Sequence, residues 1–363
     1  MEILKKVKFG NDKEFSICDL PIFHSYTNFT DGVFTKDYCI FPNKCLKEKL
    51  YDTLVNNLGS TCDYIFVPSP GLGDVYFFAS YISQFKKNNP GTIGVLLREN
   101  RCVNLLKHFP DIDEVYVSHD YFIRCFNSDS STPKIKKHAV TKIQFPYNSD
   151  IYAPKCFGMH YAYLLGLKKN TVIQVKELDN KYIDLAKNEY SKNFLDYSKT
   201  IIIAPYSRYF NSQICPVEFW KQIADRLISN GYNVVFNTMD KNYSDYKCIF
   251  PQEIMVLIGM IKLCKTFISM RAGINDVLGG FGVKHQIIFY PTNFSLTQEA
   301  CFDKFRLLQD KLTKNKLGIE KEKFLLDFYS IKSNFNINCK EIVLPENKYE
   351  LINEIVNNII KEG

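Results

Sequence analysis

The sequence has no apolar run approaching the roughly 20 residues that a membrane-spanning helix needs, which excludes a body of transmembrane helices. Its opening, Met1-Glu2-Ile3-Leu4-Lys5-Lys6, lacks the long apolar core of an export signal. Twelve cysteines are present but no Cys-x-x-Cys pair, so neither a disulfide framework nor a zinc site is expected. The expected state is reduced thiols in the cytoplasm, most of them acting as small buried hydrophobes. On that view the Asn-x-Ser/Thr triplets at Asn28, Asn242 and Asn293 carry no glycosylation meaning. Charge of one sign is scarce too: 46 Lys+Arg against 39 Asp+Glu leave +7, too mild and dispersed to argue for nucleic acid. That balance suits an acidic small substrate or contact with the anionic inner face of a membrane. His108, His119, His138 and His160 show no metal-ligand spacing, and no metal or cofactor is expected. The basic run Lys134-Ile135-Lys136-Lys137-His138 reads either as a solvated loop or as a touch-point for anionic lipid.

What is there describes a globular α/β protein. With 363 residues, 46% hydrophobic and 23% charged, the chain is long for one core, so two α/β domains are expected. Residues 1–60 read as an irregular extension, with one helix over 44–58, packed on the first domain. Residues 61–170 form that domain. Tyr64–Pro68 is a buried-strand run, and Val75, Phe78, Ala79, Ile82 and Phe85 fall at helical spacing behind it. A second strand over 92–97, a helix over 101–109, a third strand over 115–117 and a helix over 152–167 follow; 121–150 look irregular. The Lys/Asn-rich stretch 171–199 reads as a crossover. A second series occupies 200–345: strands at 200–205, 232–237, 266–269 and 285–290, with helices at 216–230, 251–263 and from about Asn275. Residues 346–363 close the chain as an amphipathic helix carrying Leu351, Ile352, Ile355, Val356 and Ile359. Alternating strands and helices with short loops imply parallel, helix-covered sheets.

Three loops carry candidate chemistry. Gly71-Leu72-Gly73-Asp74 lies between a strand and a helix; the glycines let backbone approach a ligand, and Asp74 has two roles open to it. It can cap the helix, or accept a proton from an attacking hydroxyl at the carboxyl edge of the sheet. The pair lacks the third glycine of a dinucleotide fingerprint, which weakens a hydride-transfer reading. Pro205-Tyr206-Ser207-Arg208 follows the first strand of the second series; a hydroxyl beside a guanidinium can bind a diphosphate, though a solvated surface arginine is the plainer alternative. Met270-Arg271-Ala272-Gly273-Ile274-Asn275-Asp276 is a strand–turn–helix junction. Free N–H groups and the positive end of a helix dipole suit phosphate there. Arg271 and the Ala272–Gly273 backbone are the candidate contacts, with Asp276 as a cap.

Five short pieces in this order resemble the heptosyltransferase-like glycosyltransferases. They are the Gly-Leu-Gly-Asp loop, Ile203-Ala204-Pro205-Tyr206-Ser207 with Cys215-Pro216-Val217-Glu218-Phe219-Trp220, Gly231-Tyr232-Asn233-Val234-Val235, Pro251-Gln252-Glu253-Ile254 leading to Phe267–Gly273, and Ile287-Ile288-Phe289-Tyr290-Pro291-Thr292. The resemblance spans about residues 63–293. It implies the GT-B fold class: two Rossmann-like α/β domains with parallel sheets facing across a cleft, acceptor on the first and donor on the second. It implies Asp74 as catalytic base beside Gly71 and Gly73. It also implies that Ser207, Arg208, Arg271, Ala272, Gly273, Asn275 and Asp276 lie near the donor diphosphate. That family commonly has Asp-Thr-Gly and a following His at the turn, where this chain has Arg271-Ala272-Gly273 and Asn275-Asp276. Donor identity therefore does not carry over, and the arginine version resembles the phosphate turn of other GT-B enzymes. The expected function is metal-independent, inverting transfer of a sugar from a nucleoside-diphosphate donor to a hydroxyl of a cell-envelope saccharide or glycolipid, such as lipopolysaccharide or capsule. A non-catalytic nucleotide- or glycan-binding protein and a nucleotide-sugar epimerase are the alternatives on the same scaffold.

Overall fold

A computed structural model describes residues 4–9, 13–18, 62–69, 71–97, 102–118, 135, 137, 139–143, 156–168, 171–207, 215–290, 329–345 and 347–361. The chain divides into two compact units, Met1–Pro154 with Gly158–Thr171 and Lys155–Phe157 with Val172–Gly363. Each is an α/β unit built on a six-stranded sheet.

The first sheet has the order β1-β2-β5-β4-β3-β6, formed by Leu4–Phe9 (β1), Lys13–Cys18 (β2), Tyr64–Pro68 (β3), Ile93–Leu97 (β4), Glu114–Ser118 (β5) and Ala139–Ile143 (β6). All neighbours are parallel except β1 and β2. Residues 4–9 and 13–18, expected to be irregular, thus add an antiparallel pair at the edge beside β5; the helix expected over 44–58 lies outside the described residues. A second correction is β6, which takes a place beside β3 within a stretch read as irregular. Helix α1 (Leu72–Asn88) follows β3, the short α2 (Val103–Leu106) precedes β5, and α3 (Phe157–Leu164) follows β6. The five positions expected on one face of α1 are buried, but so are Tyr76, Phe77 and Tyr81. Phe78 and Phe85 pack on Phe66 of β3 with ring centroids 5.4 and 5.2 Å apart, whereas Tyr76 meets Phe109 at 5.8 Å. The helix is therefore covered on more than one side, as a helix apolar around most of its circumference must be. Gly166 ends the turn after α3 at φ +69°, a conformation glycine adopts without steric cost.

The second sheet is wholly parallel, in the order β12-β11-β10-β7-β8-β9: Thr200–Ala204 (β7), Asn233–Phe236 (β8), Lys247–Cys248 (β9), Thr266–Met270 (β10), Gln286–Tyr290 (β11) and Lys340–Val343 (β12). Renumbered from β7, the order is 3-2-1-4-5-6, the dinucleotide-fold order. Its central strands β7, β10 and β11 are buried at every position, which is why they read as continuous apolar runs. Helices α4 (Asn180–Lys192), α5 (Val217–Ser229), α6 (Ile254–Leu263), α7 (Gly273–Gly280), α8 (Ile331–Phe335) and α9 (Leu351–Lys361) complete the described part of the unit. Phe219 and Trp220 of α5 meet Phe289 of β11 edge-on, and Ile352, Ile355, Val356 and Ile359 of α9 join the same core. Helix α6 is apolar almost throughout. At Gly259 an added Cβ would stand 2.6 Å from the Tyr182 carbonyl oxygen, so only glycine lets α4 pack this closely. Among the described residues no helix is long and apolar enough to cross a membrane.

Candidate functional site

In an open parallel sheet, a crevice forms at the carboxyl edge where successive strands diverge to opposite sides. In the first unit that switch point falls between β3 and β6, and in the second between β7 and β10. The loops singled out in the sequence leave β3, β7 and β10, so each lies at its own unit's switch point.

At the first, Ser69 N–H donates to Ile143 O at 3.0 Å, fastening the end of β3 to β6. Gly71 is the N-cap of α1, with an extended backbone and no side chain to cap with, and Val75 N–H begins the helical ladder at Gly71 O, 2.9 Å away. Gly73 is buried at the second helical residue, and Asp74, half-buried, is the third. The Tyr161 hydroxyl of α3 donates a hydrogen bond to Asp74 Oδ1. Tyr161 is fully buried and its ring stacks on Phe77, one turn below Asp74, at 6.0 Å and 15°. A Cβ on Gly71 would collide with Asp74 Oδ2. The glycine's part is thus to make room for the carboxylate; its backbone is ordinary. Next to Tyr161, His160 is 1% exposed, and burial pushes its pKa down to about 4, so the ring is neutral at ordinary pH.

At the second, the structure separates the turn residues into an inner and an outer set. Ala272, Gly273 and Ile274 are partly exposed, whereas Arg271, Asn275 and Asp276 are buried. The guanidinium that the sequence offered to a phosphate is engaged inside the turn. Arg271 Nη2 and Nη1 donate to the two carboxylate oxygens of Asp276 at 2.5 and 3.0 Å, Nη1 also to Ala272 O at 2.6 Å, and Nε to Tyr329 O at 3.2 Å. Burial opposes the arginine's charge, but the Asp276 carboxylate outweighs it and holds Arg271 protonated above its ordinary range. Asn275, 0% exposed, is satisfied as well: Oδ1 accepts from Ala272 N–H at 2.8 Å, and Nδ2 donates to Ser269 Oγ at 2.9 Å and Gln286 Oε1 at 3.2 Å. These bonds tie the end of β10 and the start of β11 to the start of α7. The helix starts at Gly273, two residues before the position expected from sequence, with Ala272 as N-cap. Gly273 and Ile274, its first two residues, have N–H groups with no acceptor within the helix.

The framework continues into residues the sequence did not single out. Tyr290 donates to Glu341 Oε1 at 2.6 Å, and the same carboxylate accepts from the backbone of Ile331 and Lys332 at the start of α8. Tyr329, whose carbonyl takes the Arg271 Nε–H, lies just ahead of that start. Across the switch point, Ser207 follows β7 partly exposed, and Tyr206 beside it accepts a 2.8 Å hydrogen bond from Tyr243. Arg208 lies outside the described residues. Past the ends of β8 and β9, Met239 is 76% and Phe250 51% exposed. Among the described residues no cluster of His, Cys, Asp and Glu has the makings of a metal site.

No protein-family model and no curated protein matches the chain. Among solved structures it is similar to an E. coli ADP-heptose LPS heptosyltransferase II at 13% identity, covering 82% of this chain and 98% of that one with a TM-score of 0.49. It is similar to a glycosyl transferase family 9 protein from Veillonella parvula at 14% identity, covering 82% and 97% with a TM-score of 0.48. The figures for E. coli heptosyltransferase WaaC with ADP are 10% identity, 82% and 99% coverage, and a TM-score of 0.49.

Proposed function

We propose that the protein is a GT-B glycosyltransferase of heptosyltransferase-like type. It moves a sugar from a nucleoside-diphosphate donor to a hydroxyl of a cell-envelope saccharide, such as lipopolysaccharide or capsule, with inversion. Asp74 takes the proton from the acceptor hydroxyl, whose oxygen forms the new bond to the anomeric carbon. The bond from that carbon to the diphosphate oxygen breaks, and the nucleoside diphosphate leaves with the electron pair. Ser207, Arg208 and the Gly273 and Ile274 N–H groups receive the charge of the leaving diphosphate. Arg271, Asn275 and Asp276 hold that turn in shape, and Met239 and Phe250 offer apolar contact to the base.

The observation that carries this reading is the 3-2-1-4-5-6 order of the second sheet, which brings the ends of β7 and β10 to one switch point. That a hydroxyl loop and a helix start follow neighbouring strands at one edge of the sheet supports the reading of that edge as the diphosphate site.

The test pairs binding with turnover. Thermal stabilisation against ADP, GDP, UDP and CMP should single out one nucleotide; a ligand at about a hundred times its dissociation constant adds roughly 2.7 kcal/mol. Asp74→Asn should bind that nucleotide as the parent does and lose transfer by about 10²- to 10⁴-fold. A parent that binds but never transfers defeats the enzyme reading in favour of a binding protein. Conversion of a sugar nucleotide with no acceptor present defeats it in favour of an epimerase.

A further inference from the structure

We infer that Tyr161 is a positioning residue that sets the orientation of Asp74; its part in transfer rests on the reading of Asp74 as the base. Three observations in the first unit converge on that carboxylate. The Tyr161 hydroxyl arrives from α3, 87 residues away in sequence, and donates to Oδ1. The ring that carries the hydroxyl is fully buried and stacked on Phe77, so the donor has little freedom to follow the carboxylate elsewhere. On the other side, Oδ2 occupies the space that a side chain at residue 71 would fill. A carboxylate whose only task were to cap α1 needs neither a buried phenol from another helix nor a vacant Cβ position beside it.

The chemistry follows from what a tyrosine can do. A phenol is a neutral donor, so it fixes a carboxylate without cancelling its charge as an arginine or lysine would. The bond to Oδ1 fixes where Asp74 stands in the loop after β3, and a proton acceptor misplaced by about 1 Å can cost up to about 100-fold in rate. Tyr161 touches neither substrate nor the reacting atoms; it acts through Asp74.

Tyr161→Phe keeps the stacked ring and deletes the donor. Transfer by this variant should fall about ten- to a hundredfold in kcat, with the donor KM and the melting temperature close to the parent. In the Asp74→Asn background the same change should cost nothing further, since two residues acting as one unit are non-additive. A tether that is merely structural would instead lower the melting temperature and leave kcat alone, and full turnover by Tyr161→Phe would overturn the inference. A second measurement stands apart from activity: in protein labelled with 13Cζ-tyrosine, the resonance lost in Tyr161→Phe should shift in Asp74→Asn. If no sugar nucleotide supports transfer by the parent, the reading of the function fails while that shift upholds the Tyr161–Asp74 link. A resonance indifferent to Asp74→Asn overturns the link whatever the activity.

Discussion

The two switch points are alike in topology and differ in the donor that holds the carboxylate. At the edge of β3 a carboxylate accepts a hydrogen bond from a neutral phenol. At the edge of β10 a cation and an anion are buried against each other, with side chains 10% and 4% exposed. Gly273 and Ile274, the first two residues of α7, are partly exposed at that edge. One loop thus holds its carboxylate with an uncharged donor, whereas the other ties its carboxylate to a buried cation.

The comparison breaks most readily at Asp276. Replacing it with Asn leaves the Arg271 guanidinium buried without its counter-ion, and stability should fall by about 3–5 kcal/mol in denaturant unfolding. The double variant Arg271→Met/Asp276→Leu should recover most of that loss, because an apolar pair carries no desolvation penalty. A loss below about 1 kcal/mol from Asp276→Asn would mean that the pair does not hold the turn.

A smaller effect tests whether the ring of His160, next to Tyr161, is uncharged. His160 has its pKa pushed from 6.5 down to about 4 by burial. Above 6.5 neither folded nor unfolded chain protonates this ring and it contributes no pH dependence. Between 6.5 and 4 the unfolded chain takes up the proton first, so stability falls across that window by about 3 kcal/mol and levels off below it. His160→Asn should flatten that part of the curve, measured by chemical denaturation from pH 7 to 4.5. His285, also lowered by burial, leaves a residual slope of the same sign.

The smallest stability change belongs to Gly71→Ala. The backbone there is compatible with alanine, and the added methyl displaces only the end of the Asp74 side chain. Melting should move by less than about 1 kcal/mol equivalent while transfer drops about tenfold. Equal activity in parent and variant would show that the placement of Oδ2 does not matter.

Much of this fold is legible in the sequence because its central strands are buried on both faces. Ile201-Ile202-Ile203 and Ile287-Ile288-Phe289 have no polar interruption, so their nature and limits are plain. The strands that escape reading are marginal ones. β1 contains Lys5, Lys6 and Lys8, β6 contains Lys142, and β12 is half-buried throughout, so edge position gives them the composition of loops. The candidate loops after β3 and β10 were marked by glycine between an apolar run and a helix, and the one after β7 by a hydroxyl beside a guanidinium. Their internal wiring was not, since Arg271 and Asp276 stand five apart across a loop-to-helix boundary, where no helical spacing rule applies. Tyr161 offered still less, one aromatic in an apolar helix with nothing local to mark its hydroxyl.

The bare Cα of Gly259 has a practical consequence for dissecting the chain. Composition suggests a cut near residue 200, where the Lys/Asn-rich stretch ends, yet α4 lies upstream of that point with its Tyr182 carbonyl seated against Gly259 and its Tyr190 hydroxyl on Met260 O at 2.7 Å. Farther upstream, Lys176 N–H donates to Gly280 O at 2.8 Å. A fragment begun at Thr200 would shed its own lid and bare the oily flank of α6 to water, whereas one begun near Val172 would take its cover along.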